Sequence, residues 1–510
     1  MGEEWDVVVV GAGTSGCALA ARLADAGRRV LVLEAGADHP QPGDFPPELR
    51  DPTTMSAVAP GHPANWDLQG ELTDGRMVPV PRGRVVGGSS ALNAGSFIRG
   101  TRADFDGWAA AGNHLWSYDA VLPAFRRLEA DVDLGDRPGH GTDGPMPVER
   151  PREGHPVADG FAAAAQELGF PAEPDKNGDG SPGYGPVPFN VSAGLRVNTA
   201  MAYLSPRRCL AGLAVRGGVS VRRVLVEHGR AVGVETADGI VRTAEVVLSA
   251  GAVGSPHLLL ISGVGPAEDL RSAGIPVVAD LPGVGADFTD HPTVYVGYRP
   301  AHPLPMPPGR LPLHGVLHTT SAGSPVPGDL EILPWLTPFG RITGAPAGQH
   351  EDELAVGVAL QREDSRGRLT LHAAEPTSQP RLEYRYLTEE SDRRRLRDGI
   401  RLAVDLLRTR ALAPLLAGRV GLPDDVLIRD AALDRWIRAH LTTAIHLAGT
   451  ARMGPDTDPG AVVDQQLRVR GVAGLRVVDT SVMPQVTVRG PAATAVMLGE
   501  RAAELMTADG

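Results

Sequence analysis

Residues 6–16 read DVVVVGAGTSG, and this opening restricts the chain to few folds. Val7 to Val10 form the unbroken β-branched run expected of a strand buried on both faces of a parallel sheet. Gly11, Gly13 and Gly16 follow in G-x-G-x-x-G spacing, ahead of the helix-like CALAARLADAG. In such a turn Gly11 permits the tight reversal, Gly13 lets backbone approach a pyrophosphate, and Gly16 lets the helix pack on the strand. Thr14, Ser15 and Gly16 then open a helix whose N-terminus favours negative charge. A second apolar strand, VLVLE, ends on Glu34, eighteen residues past Gly16, with Ala35 next. An acid there suits a ribose hydroxyl and repels the extra phosphate of NADP. Gly-rich turns alone are common. Strand, glycines, helix, strand and terminal acid in this order predict a dinucleotide-binding unit, whereas a plain β-turn-α connection leaves the acid unexplained.

At 510 residues the chain is too long for one ordinary core, so two or more structural units are expected. It holds no run of eighteen apolar residues, so no membrane-spanning helix is expected. The first strand opens by Asp6, which leads us to expect no signal peptide. With only Cys17 and Cys209 present, we expect no disulfide and a reducing compartment: a cytoplasmic protein, or one peripheral to a membrane. The net charge of −12 argues against nucleic acid and against anionic lipid as partners. Lys176 is the one lysine, and its place in the loop-like PDKNGDG argues against Schiff-base or P-loop chemistry. No metal site is expected.

Strand and helix patterns alternate through the first hundred residues, and short strands recur between 219 and 250. Residues 353–387 alternate as antiparallel strands do, and helix-like patterns cover 388–418 and 424–441. The proline-heavy stretch 299–327 reads as a surface excursion. We therefore expect an α/β fold in which a Rossmann-like parallel-sheet domain is interrupted by a substrate domain with an antiparallel sheet and helices. The first is discontinuous, covering 1–150, 205–290 and 442–510; the second covers 151–204 and 291–441.

Residues 83–106, GRVVGGSSALNAGSFIRGTRADFD, resemble the first signature of the glucose–methanol–choline (GMC) oxidoreductases, which are flavoenzymes. Residues 251–265, GAVGSPHLLLISGVG, are similar to the second signature, and HLAGTARMG with VVDQQLRVRGVAGLRVVDTSVMP is similar to the third diagnostic region. The resemblance runs over nearly the whole chain and implies FAD as the cofactor. Some members attach it through a histidine just before the signature asparagine; Leu92 stands there, which implies non-covalent binding. The implied contacts are Arg84, Gly87, Gly88, Ser89, Asn93, Ala94 and Gly95 from the first signature, Val224 on the adenine side, Ala250, Gly251 and Asp479 at strand ends, and Gly490, Pro491 and Ala492 near the C-terminus. Gly87 and Gly88 would let backbone lie against the flat ring, where a side chain would collide. Ser89, Ser90 and Asn93 either hydrogen-bond flavin oxygens or satisfy their own loop.

Alcohol oxidation by flavin moves a hydride from carbon while a proton leaves the hydroxyl. A positioned base contributes about 10²–10⁴-fold, and imidazole, with an ordinary pKa near ~6.5, suits the task. His446 aligns with the family's catalytic histidine, although Leu447 follows it where most relatives have proline. Relatives carry a second histidine or asparagine about forty-four residues on, where this chain has Gly490; Gln485 and Arg489 are the nearby polar candidates. Asp290-His291-Pro292 resembles a family marker and reads as structural. The RGPAAT ending, with HL in place of HP, resembles the GMC dehydrogenases associated with mycofactocin. The resemblance implies a mycofactocinol-like or choline-like alcohol as donor and a quinone, a protein or oxygen as acceptor. A non-redox flavin lyase and a flavin-binding relative with weak or no turnover are the alternatives.

Overall fold

The computed structural model describes residues 5–152, 154–304, 309–338, 342–343 and 353–508. The valine run forms β1 (Trp5–Val10), the glycine turn leads into α1 (Thr14–Asp25), and β2 (Val30–Leu33) lies parallel to β1. Val7, Val8, Val9 and all four residues of β2 are buried, as strands covered on both faces must be. Leu213–Arg216 extends the sheet beyond β2, while Gly239–Leu248 lies on the other side of β1 and is joined by Leu475–Val477. These pairs are all parallel. Arg230–Thr236 and Val221–Glu227 complete seven strands by antiparallel pairing. The C-terminal helix Ala492–Ala508 packs along α1, with the Ser15 hydroxyl donating to the Ala495 carbonyl at 2.6 Å. Both ends and the middle of the chain thus build the dinucleotide sheet.

A second, antiparallel sheet runs in the order Leu416–Val420, Pro292–Pro300, Leu354–Leu360, Leu330–Pro334, Gly315–Thr319, Tyr184–Pro186. Thr442–Thr443 also pairs with the start of Pro292–Pro300. Helix Glu390–Leu407 covers one face; its buried Leu396, Ile400, Ala403, Val404 and Leu407 recur three or four residues apart. The contact is close, since a Cβ on Gly399 would lie 2.8 Å from Val358. On the other face Tyr295 and Leu333 pack with Trp335, Ile98 and Phe189, a cluster that reaches Ala94 in the first signature loop. A smaller four-stranded sheet joins Leu68–Glu71 and Met77–Val80 to Arg368–Thr370 and Arg381–Glu383, drawing together segments assigned by sequence to different domains.

Two sequence expectations require correction. The helix expected over 388–418 ends at Leu407, and Leu416–Val420 adds a strand to the second sheet. Pro414 lacks the amide needed to continue a helix there. The stretch 299–327 is more than a surface excursion, because Gly315–Thr319 is an interior strand with Val316, Leu317 and His318 buried; its prolines fall before and after that strand.

Candidate active site

Backbone crowding explains the glycines around the β1–α1 turn. Gly11 has φ +100°, and a Cβ there would lie 2.4 Å from the Ser249 carbonyl oxygen. A Cβ on Gly16 would lie 2.2 Å from the Gly11 carbonyl oxygen, so only glycine lets α1 approach the turn. Gly13 caps α1 without a side-chain bond, and the helix presents its first amides there. Glu34 accepts from the Ala12 amide at 2.9 Å and the Gly36 amide at 2.8 Å, tying the end of β2 to the turn. Burial pushes its carboxyl up to about 7.

The other motifs assemble on this turn. The Gly87 amide donates to the Ala12 carbonyl at 2.7 Å. Ser249 is bonded to the Val10 carbonyl through its amide and to the Val478 carbonyl through its hydroxyl. Asp479 accepts from the Gly251 amide at 2.9 Å and the Ser255 hydroxyl at 2.5 Å, joining two sequence-distant strand ends. The Val224 amide is already bonded to the Ser262 hydroxyl at 2.8 Å, leaving that residue's carbonyl for any ligand contact. The Arg84 guanidinium lies 5.1 Å from the Trp66 ring centroid.

Packing within the protein gives Gly87 and Gly88 a further reason. A Cβ on Gly88 would lie 2.7 Å from the Gly13 Cα, and one on Gly87 would lie 2.9 Å from Asn198 Oδ1. Both have positive φ, which favours glycine, and Gly88 lies against the dinucleotide turn. The polar residues serve the loop as well. Ser89 accepts from the Gly83 amide, Ser90 donates to the Gly87 carbonyl, and Asn93 accepts from the Gly95 amide.

His446 follows the short Thr442–Thr443 strand. Its Nδ1 lies 2.8 Å from Nδ1 of His291, with the rings nearly perpendicular at 84°. Burial pulls the His446 ring down to about 3, with the Arg82 charge adding to the effect; burial holds His291 well below its ordinary value, with His446 and Arg362 adding. Both rings therefore stay neutral near pH 7. Gly490 stands beside the other edge of His446: a Cβ there would lie 3.3 Å from Cε1 and 3.4 Å from Nε2. Asp290 joins the pair from below, its Oδ1 accepting the amides of His291 at 2.6 Å and His446 at 2.7 Å.

His291, expected from the sequence to be structural, is the side chain in contact with His446, and Gln485 and Arg489 are bonded elsewhere. Gln485 accepts from Arg362 at 2.7 Å, and Arg489 turns to the Val488 and Gly328 carbonyls. The D-H-P motif was the available signal; the pairing itself spans 155 residues. Lys176 lies in a turn, as its surroundings in the sequence suggest. It is buried and bonded to Glu173, to the Gly183 carbonyl at 2.7 Å and to His318 at 3.1 Å, and burial pulls its amine down to about 8. Glu129, Asp131 and His140 lie within 4.8 Å of one another, but Arg99 and Arg150 already pair with the two carboxylates. Those guanidinium charges oppose a cation there.

Two family models described as GMC oxidoreductase match the chain, one over residues 5–293 and the other over 363–499. The chain is 40% identical to an uncharacterized GMC-type oxidoreductase in the thcA 5' region of Rhodococcus erythropolis, covering 99% of this chain and 98% of that one. It is 35% identical to the mitochondrial choline dehydrogenase of Homo sapiens, covering 99% and 90% respectively. Among solved structures, pyridoxine 4-oxidase from Mesorbium loti superposes with a TM-score of 0.90 at 30% identity, covering 98% of this chain and 99% of that one.

Proposed function

Since the chain belongs to the glucose–methanol–choline (GMC) oxidoreductases, we propose that it oxidises a hydroxyl compound with His446 as the base. It is an FAD-dependent oxidoreductase acting on CH–OH donors. The residues fit that cofactor. Gly13 and Gly251 border open space, a Cβ on the first meeting nothing nearer than 3.7 Å and on the second nothing within 4 Å. The Thr494 hydroxyl is buried without a hydrogen-bond partner among the described residues, at the start of the helix that packs on α1. Gly11, Gly13, Thr14, Ser15, Gly16, Glu34 and Ala35, with Val224, Ala250, Gly251 and Asp479, would hold the dinucleotide end. Arg84, Gly87, Gly88, Ser89, Asn93, Ala94 and Gly95, with Gly490, Pro491 and Ala492, would hold the flavin end, the loop glycines and Ser89 by shaping backbone. Bound FAD supplies the hydride acceptor.

The observation that carries the assignment is the 2.8 Å imidazole pair beside a residue without a side chain. One of the two facing Nδ1 atoms must hold a hydrogen. We assign that hydrogen to His446; the far nitrogen of His291 is buried without a hydrogen-bond partner among the described residues. His446 then donates from Nδ1 and keeps the lone pair on Nε2, the edge beside Gly490. A neutral Nε2 has its lone pair free for the hydroxyl proton of a donor, and the bond to His291 offsets part of the burial cost of the imidazolium formed.

The donor class we propose is a mycofactocinol-like or choline-like alcohol. The RGPAAT ending supports the first, and the 35% identity to a choline dehydrogenase supports the second. Reoxidation by a quinone, a protein or oxygen completes turnover. The test is anaerobic addition of reduced mycofactocin and choline to the yellow holoprotein. Bleaching by one of them supports the reading, and His446→Ala is expected to slow it about 10²–10⁴-fold while FAD stays bound. An unchanged spectrum with both donors favours a second reading, a flavin-binding relative without turnover, for which the bare Gly490 position speaks.

A further inference from the structure

We propose that Asp290 is the positioning residue of the imidazole pair, a single buried carboxylate oxygen that fixes both histidine backbones against strain at Ile445. This rests on the base assignment for His446. His291 and His446 lie 155 residues apart, yet both amides converge on Asp290 Oδ1, at 2.6 and 2.7 Å. Asp290 is fully buried, and its own amide donates to Glu363 Oε1 at 2.7 Å, so the clamp is itself anchored.

The clamp has something to oppose. Ile445 has φ +65°, a conformation that a β-branched residue adopts only where its surroundings over-determine it. Its amide donates to the Thr443 hydroxyl at 3.0 Å, its carbonyl accepts from Arg82 at 3.0 Å, and the next amide, that of His446, is the one held by Asp290. Release of the Asp290 bond lets the Ile445–His446 peptide relax and carries the His446 ring away from His291.

Asp290 is also a titratable group. Facing it are Arg82, Glu363, His291, His446, Tyr384, Tyr386 and Thr443. Burial pushes the Asp290 carboxyl up to about 6 and that of Glu363 well above its ordinary range. Above about pH 6 the carboxyl that holds the two amides therefore carries a charge, and below it that charge is lost.

The experiment is anaerobic stopped-flow flavin reduction by a bleaching alcohol, from pH 5 to 8, in holoprotein, in Asp290→Ala and in Asp290→Asn. Alanine removes the oxygen that both amides share, whereas asparagine keeps an Oδ1 for both and removes only the charge. Expected in Asp290→Ala are an unchanged flavin spectrum, an unchanged half-saturating donor concentration and about 10- to 100-fold slower reduction, and in Asp290→Asn loss of the limb near pH 6. Adding Ile445→Gly, which accepts positive φ without strain, to Asp290→Ala is expected to restore much of the rate. If Asp290→Ala does not hold FAD, Arg82→Gln carries the same expectation of slower reduction recovered by Ile445→Gly. A wild-type rate in Asp290→Ala, a limb retained in Asp290→Asn, or slow variants that Ile445→Gly leaves slow, overturn the proposal. A wild-type rate in His446→Ala instead overturns the base assignment, whatever Asp290→Ala does.

Discussion

Gly490→Ala is the smallest change that addresses the reacting edge of His446. The new Cβ would lie 3.3 Å from Cε1 and 3.4 Å from Nε2, whereas unstrained contacts of this kind open to about 3.5–4.0 Å. The ring must yield by roughly 0.3–0.5 Å, because three bonds hold the backbone beneath it. A misplacement of ~1 Å at a reacting group costs about 10²-fold, so this shift corresponds to about 3- to 10-fold, or ~1 kcal/mol in the barrier. Gly490 has no left-handed φ, so alanine introduces no backbone strain, and stability is expected to move by no more than ~1 kcal/mol. The assay is the limiting rate of anaerobic flavin reduction, read beside the thermal midpoint. A variant that reduces flavin at the wild-type rate would show that the Nε2 edge is not where the donor binds, and the reasoning would fail.

Two further outcomes concern stability. His155 caps helix Pro156–Glu167 by accepting the Val157 amide at 3.2 Å, and burial pulls its ring down to about 4. Between the unfolded value of 6.5 and that folded value only the unfolded chain takes the proton. Stability therefore falls as pH drops through this window, by up to about 2 kcal/mol at pH 5, and His155→Asn, which keeps an acceptor but does not titrate, should flatten the urea midpoint between pH 7.5 and 5. Lys176→Met removes the cation bonded to the buried Glu173 and leaves Arg489 3.8 Å away as the nearest remaining charge. A loss of about 3–5 kcal/mol in denaturant unfolding is expected. An unmoved midpoint would mean that Glu173 is neutral in the native protein.

The features legible along the chain are those whose physics is local. A strand of four valines, a turn needing glycine at Gly11 and Gly16, and an acid at the end of the next strand lie within thirty residues, so steric and hydrogen-bond demands appear directly as residue types. His446 was legible because a whole signature surrounds it. The reasons assigned to some residues were less secure. Gly87 and Gly88 looked like a floor for a flat ring, yet their missing side chains make room for Gly13 and Asn198. Ser89 and Asn93 bond their own loop.

Lys176 sits in a string of turn formers, and nothing nearby signals that Glu173, Gly183 and His318 will enclose it. Chain pattern by itself determined that a dinucleotide turn forms and that two sheet types alternate, and it pointed to the histidine we propose as the base. Only the folded arrangement decided which groups stand beside that histidine. His291 and Asp290 reach it because the strand Pro292–Pro300 pairs at its start with Thr442–Thr443, bringing together segments whose separation along the chain carries no short-range signal. Local periodicity records what each segment buries, whereas contact between segments depends on strand pairing and register, which form when the whole core closes.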